Sequence, residues 1–357
     1  MTQLERFQNQ LRNMSADCAL ISSELNIRYL CGFEYTDGYL LIFPDRAYLL
    51  TDFRYAEAAR ACVNNFETVV PQSDMLSEIR LLLCINGASS VAIEDAHLSC
   101  AEFKRLSERL NDVTPVAGAS DMLREQRAVK LDCELDLIAK AQSITDAAFQ
   151  HILGFITPER TEREVALELE FFMRKMGAES VAFDTIAVSG ASSSLPHGVP
   201  QDKKLSRGFL TMDFGARYNG YCSDMTRTVV IGKADSDIKK VYDTVLKAQL
   251  TALESIHEGM SCREADSIAR DIITAAGYGK CFGHSLGHGV GMYIHEFPSL
   301  SQRADDQAVL KRGNVVTVEP GIYIEGKYGC RIEDMIAIGH DGNIINLTKS
   351  PKVLIEI

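Results

Sequence analysis

The sequence predicts an α/β (α+β) protein in two parts. A small mixed α/β domain spans residues 1–125, and a larger domain over 126–357 holds two copies of one unit related by a pseudo-twofold. Three observations predict this. Short apolar runs alternate with helical periodicity through the first ~120 residues, as in a domain of interleaved strands and helices. Helix-start and helix-stop signals then recur at a fixed offset. An acid-bearing hairpin motif follows the helices in each copy.

Leu4, Phe7, Leu11 and Met14 follow helical spacing and give an amphipathic helix over 3–14. The runs Cys18–Ile21, Tyr39–Phe43, Ala47–Leu50 and Val91–Ile93 read as strands, with helical patterns over 52–64, 74–86 and 100–111. No catalytic constellation falls in this part, and the lone His97 reads as structural. Val113–Arg127, irregular and carrying Pro115 and Gly118, is the expected join. A long helix follows, with Leu131, Leu135, Ile138, Ala141, Ile144, Ala148 and Ile152 at three- and four-residue steps.

A second helix opens on the capping box Thr161–Glu164 and stops at Gly177. A third spans 236–255, and a fourth opens on Ser261–Glu264 and stops at Gly277. Thr161 and Ser261, Glu164 and Glu264, Gly177 and Gly277, and Ile156 and Ile256 are each 100 residues apart. Leu205-Ser206-Arg207-Gly208 leads to Asp213 as Leu310-Lys311-Arg312-Gly313 leads to Glu319. Each of those acids has a glycine two residues on, and Ser223-Asp224-Met225 matches Glu333-Asp334-Met335. Residues ~130–230 and ~235–340 therefore read as two copies of a helix–helix–strand–hairpin unit.

A length of 357 residues suits two or more domains, and 46% hydrophobic content suits a full core. The net charge of −12 argues against nucleic acid or an anionic membrane as partner. No apolar run approaches the ~20 residues that span a bilayer. The first residues lack the marks of a signal peptide, so the cytoplasm is the expected compartment. Ten cysteines lie scattered with no Cys-x-x-Cys, several in apolar or helical patterns (Cys18, Cys62, Cys84, Cys133). They read as reduced, small core residues.

Met212–Thr228 reads as a hairpin folded at Tyr218-Asn219-Gly220, which places Asp213 and Asp224 opposite each other to within about one residue. Taken alone, such a pair reads as surface acids beside a turn. The repeat changes that: Asp213, Asp224, Glu319 and Glu333 would meet at one buried place, where like charges are prohibitive without cations. Two divalent ions balance four carboxylates, and a strand spacing near 5 Å suits ions roughly 3.5–4 Å apart. Oxygen-rich ligation suits Mn²⁺ or a similar first-row ion better than a thiolate zinc site. Phe282–Glu296 offers a fifth ligand. His284, His288 and His295 fall there on what reads as one glycine-rich strand, whose glycines allow close approach. Any one of these histidines alone is more often structural; three together point to a site. His197 sits at roughly the matching place in the first copy.

The spacing of Asp213 and Asp224, the His284/His288/His295 set, Glu319-Pro320-Gly321 and Arg331-Ile332-Glu333-Asp334 resemble the pita-bread metallopeptidases, in their Xaa-Pro branch of aminopeptidase P and prolidase. The resemblance covers ~128–357. Asn26–Phe33 and Leu50–Tyr55 are similar to the amino-terminal, creatinase/prolidase-type domain of that branch. The resemblance implies that Asp213 holds one metal, His288 and Glu319 the other, and that Asp224 and Glu333 bridge. A metal-bridging hydroxide would be the nucleophile, with Glu319 as proton carrier. His295 and His197 would donate to the substrate carbonyl, His284 would line the pocket, and Arg331 would orient a bridging carboxylate.

The expected cofactor is two divalent ions per chain, Mn²⁺ foremost, with Co²⁺ or Zn²⁺ as alternatives. The expected substrates are short peptides cut after the first residue, with proline or another small residue second. A methionine aminopeptidase is the nearest alternative, and the extra domain speaks against it. Creatinase-like hydrolases lack the metals, and non-catalytic peptide- or protein-binding members are expected to have lost ligands; the full ligand set disfavours both. Dipeptidase against aminopeptidase stays open, and a homodimer is expected by analogy.

Overall fold

Thr2 caps the first helix, Gln3–Leu11, through a capping box with Glu5, and Leu4, Phe7 and Leu11 turn inward. The helix stops short of the expected Met14 because the Asn13 and Met14 amides make tight turn bonds to Gln10 O and Leu11 O. The computed structural model describes residues 1–357 in two units, Met1–Gln126 and Arg127–Ile357. In the first, six strands form one mixed sheet in the order Glu67–Val69, Ala47–Leu50, Tyr39–Ile42, Cys18–Ile21, Ser90–Ile93, Thr114–Val116. Cys18–Ile21 and Ala47–Leu50 are buried along their whole length, as strands covered on both faces must be.

Two parts of this unit depart from the sequence reading. Glu24–Cys31 is a helix, capped by Ser23 and ended by Gly32 at φ 71°. The stretch expected to be an irregular join carries the edge strand Thr114–Val116 and the helix Ala119–Ala128. Pro115 is tolerated there because an edge strand has one side without ladder partners.

The second unit follows the duplicated plan. Its helices are Asp132–Phe155, Glu162–Lys175, Ser236–Ser255 and Cys262–Ala275. Thr161 and Ser261 cap the second and fourth by accepting from the Glu164 and Glu264 amides, although only Thr161 forms the full capping box. Gly177 and Gly277 end them at φ 103° and 90°. Thr161 bridges to Lys204 and Ser261 to Val309, again at matching places. One apolar core gathers Ile144 to Ile231 and another centres on Val241 to Ile338, so each copy largely fills its own interior.

All ten cysteines are free. The core expectation holds for Cys18, but Cys62, Cys84 and Cys133 lie exposed on helices that turn them outward. No helix is long and apolar enough to cross a membrane.

The first hairpin turns at Asn219 and Gly220, both with positive φ (46° and 87°), as the two-residue turn requires. Its strand Gly208–Phe214 pairs with Met225–Ile231, and the same register continues through Ala216–Tyr218 and Tyr221–Cys222 after a break at Gly215. At that break the chains touch: a Cβ on Gly215 would lie 1.9 Å from Ser223 O. Gly215→Ala is therefore expected to destabilise the protein by about 2–3 kcal/mol, read as a lower midpoint in chemical denaturation. An unchanged midpoint would contradict this.

The buried Arg227 ties this hairpin to distant chain. Its guanidinium pairs with Asp334 Oδ1 at 2.7 Å and donates to Glu333 O, Ser350 O and Pro351 O. Residues 355–357 then run along the same strand, through Val230 N to Ile355 O and Ile357 N to Val230 O, both 2.9 Å.

Candidate metal centre

Asp213 lies directly across from Thr226 in the first hairpin, so Asp224 is displaced by two residues rather than the expected one. The difference matters because side chains alternate faces. An offset of one would have sent the acids to opposite faces, whereas an offset of two keeps them on the same one. In the second hairpin Val318 pairs with Asp334 and Gly321 with Arg331, which brackets Glu319 and Glu333 at one level.

His288 comes from the short strand Gly287–Gly289. A Cβ on Gly287 would sit 1.9 Å from Thr317 O, so glycine lets this strand close against the one leading to Glu319. The His288 Nδ1 donates to Gly289 O at 3.0 Å, and burial pushes the ring down to about 4, so Nε2 carries a free lone pair at neutral pH. Nε2 points at Asp224 Oδ2 and Glu319 Oε1, each 3.5 Å away. Ligand atoms of Asp224, His288 and Glu333 all lie within 4.8 Å of one another.

The acids are poorly accommodated as they stand. Burial, then the neighbouring carboxylates, push Asp224 and Glu333 well above the usual carboxylate range, and burial raises Glu319 as well. Asp213 Oδ1 is buried with no hydrogen-bond partner. An orphaned carboxylate oxygen, an aimed imidazole lone pair and three acids crowded together in a buried place are the donor chemistry of a cation site. The donor set fits divalent metal.

Residues that the sequence reading missed support these donors. Thr226 Oγ1 donates to Glu333 Oε2 at 2.7 Å and accepts from Arg331 Nε at 2.9 Å. Thr317 Oγ1 donates to Glu319 Oε1. Arg331 was expected to orient a bridging acid. Its Nη2 instead grips Asp213 Oδ2 at 2.5 Å, and it reaches Glu333 only through Thr226. Arg331 Nη1 also donates to the Tyr323 hydroxyl at 2.6 Å. That hydroxyl meets His284 Nε2 at 3.0 Å, while His284 Nδ1 donates to Ser285 O. Tyr323 and Thr226 stand two residues from Gly321 and Asp224, so strand alternation places them on the acid face.

The three histidines do not share a strand. Only His288 is in one; His284 precedes it in a loop and His295 follows in a turn. The register slips between His288 and Gly289, which interrupts the strand the sequence suggested. His295 and His197 are exposed, and burial and then His197 hold His295 below its ordinary value. All nine residues singled out from sequence line one cavity of about 910 Å³.

A comparison with protein families matches residues 136–340 to "Metallopeptidase family M24". The chain belongs to metallopeptidase family M24. Residues 3–129 match the "Creatinase/Prolidase N-terminal domain", so this M24 member carries that domain ahead of its pita-bread domain. A Xaa-Pro dipeptidase of Pyrococcus horikoshii is 40% identical over 96% of this chain and 95% of its own. The structure of a Xaa-Pro dipeptidase from Bacillus anthracis superposes with a TM-score of 0.95, at 42% identity and 99% coverage of both chains. An X-Pro aminopeptidase structure from Thermotoga maritima has a TM-score of 0.91 at 37% identity, covering 98% of this chain and 100% of that one. The M24 chain described here is thus a metallopeptidase, with the divalent-metal requirement that family implies.

Proposed function

We propose that this protein is a dinuclear exopeptidase that releases the first residue of short peptides with proline second. The observation that carries the reading is the convergence of Asp213, Asp224, His288, Glu319 and Glu333 on one cavity whose wall also bears His197 and His295. In this reading Asp213 would hold one ion, His288 and Glu319 would hold the other, and Asp224 and Glu333 would contribute to both. The donor set favours Mn²⁺, with Co²⁺ or Zn²⁺ as substitutes. When bound, the ions supply Lewis-acid polarisation of the scissile carbonyl and lower the pKa of water toward ~7.

The chain's own groups do the rest. Glu319 takes a proton from the attacking water and returns it to the leaving nitrogen. His295 and His197 present N–H groups to the carbonyl oxygen as charge develops there. Both nitrogens of His284 are engaged, by Ser285 O and the Tyr323 hydroxyl, so it acts as a fixed wall and not as a donor. Arg331 keeps one oxygen of Asp213 oriented and leaves the other free to bind.

A bond to a proline nitrogen has no N–H for a peptidase to grip. Metals and an apolar wall of Phe183, Ile186, Pro196 and Ile294 do not require one. The names of the dipeptidase and aminopeptidase relatives support the proline preference.

A panel of Xaa-Pro and Met-Xaa peptides of two to five residues, run with Mn²⁺, Co²⁺ and Zn²⁺ beside elemental analysis, tests the proposal. Cleavage of the Xaa-Pro members and two ions per chain are expected. Cleavage confined to Met-Xaa peptides would sink the specificity, and no bound metal after loading would sink the dinuclear site.

A further inference from the structure

We propose that Glu296 is the positioning residue for His295, and that the half-buried Arg127 and the buried Lys130 fix Glu296 in turn. The inference rests on the reading of His295 given above. The His295 ring makes no hydrogen bond within the chain and meets His288 edge-on, with centroids 4.4 Å apart. Its aim therefore depends on the backbone of the turn between the strands Gly287–Gly289 and Glu296–Leu300.

Glu296 opens the strand that follows the turn, and its side chain reaches back to the Tyr293 amide within it. Its side chain is 2% exposed and that of Lys130 1%. Oε1 accepts from Arg127 Nε and from the Tyr293 amide, both at 3.1 Å, and Oε2 accepts from Lys130 Nζ at 3.3 Å. The carboxylate lies against Gly291, where an added Cβ would be 2.4 Å from Oε2. On its other side the turn is tied to the acid hairpin, because Gly291 O accepts from Cys222 N at 2.8 Å, two residues before Asp224. An apolar side chain would fill the same space without desolvating three charges. It could not hold the Tyr293 amide or set the angle at which His295 leaves the turn.

The test is a double-mutant cycle on the metal-loaded enzyme with a Xaa-Pro peptide. It compares His295→Ala, Glu296→Gln and the pair, measuring kcat, KM, bound metal and thermal midpoint for each. Glu296→Gln is expected to lower kcat about ten- to a hundredfold, with KM within about twofold and metal content unchanged. The pair is expected to be no slower than His295→Ala alone, since Glu296 then has nothing left to position. A loss of metal, or losses that multiply in the pair, would overturn the inference and leave the His295 reading standing. A silent His295→Ala would overturn both. Should Glu296→Gln fail to fold, Arg127→Gln, which leaves the Lys130 pair intact, takes its place in the same cycle with the same non-additivity expected.

Discussion

Replacing Glu333 by Gln is expected to abolish peptide hydrolysis, lowering turnover by at least about a thousandfold, the upper range for withdrawing one electrostatic group from a preorganised site. Glutamine keeps the volume, and its carbonyl can still accept from Thr226. Its amide, however, brings two N–H groups to a place where the neighbouring acids call for a cation. The fold should survive. Glu333 is pushed up by burial and then by Glu319 and Asp213, so neutralising it removes a repulsion the metal-free protein must otherwise bear. Kinetics, elemental analysis and melting of the metal-free variant are the measurements. Retained turnover would refute the assignment of Glu333 to both ions, and a metal-free variant melting well below the metal-free parent would show that the side chain holds the fold instead.

The metal-free parent should lose stability as pH rises from about 6.5 to 8, and Mn²⁺ should restore it. Asp224, Glu319 and Glu333 have folded-state values raised above their ordinary 3.8 or 4.5. Groups raised in this way bind more protons folded than unfolded. Their contribution is complete below the ordinary carboxylate range and is lost as pH climbs through the raised values, by up to about 1.4 kcal/mol per group per pH unit. His284, His288 and His295 are lowered from 6.5 and work the other way, adding stability as pH rises toward 6.5. The two sets oppose each other below that point. Above it the imidazoles are neutral in both states, and only the acids continue to titrate. Thermal melts from pH 5 to 8, with chelator and with Mn²⁺, check the sign. A chelated protein whose midpoint stays level or rises above pH 6.5 would contradict it. The metal's effect should also grow with its concentration, as for any ligand of the native state alone.

Much of this was legible in the residues. The Asn-Gly turn named its own conformation, and Thr161, Ser261, Gly177 and Gly277 marked helix ends that the backbone obeys, because caps and left-handed stops are decided within a few residues. The four acids followed from the repeat and His288 from the glycine-rich stretch before Glu319, and all five line one cavity. The parts that were missed depend on other levels of structure. The two-residue offset of Asp224 is a matter of register, which a turn position gives only to within a residue or so. The helix at Glu24–Cys31 is too short for periodicity to declare itself. Thr226 and Tyr323 had a signal in strand alternation, but a threonine and a tyrosine carry no chemistry in isolation. Arg331 was noticed, yet its grip on Asp213 joins the two copies and could be seen only once both were in place.

The long-range tie through Arg227 bears on the order in which the protein can be assembled. A chain emerging from the ribosome presents Asp213 and Asp224 more than a hundred residues before Asp334 and the 350–357 segment that brace their hairpin. The nascent first copy therefore exposes two unshared acids on an incompletely braced ribbon, and the cavity that gathers the four acids closes only late in synthesis.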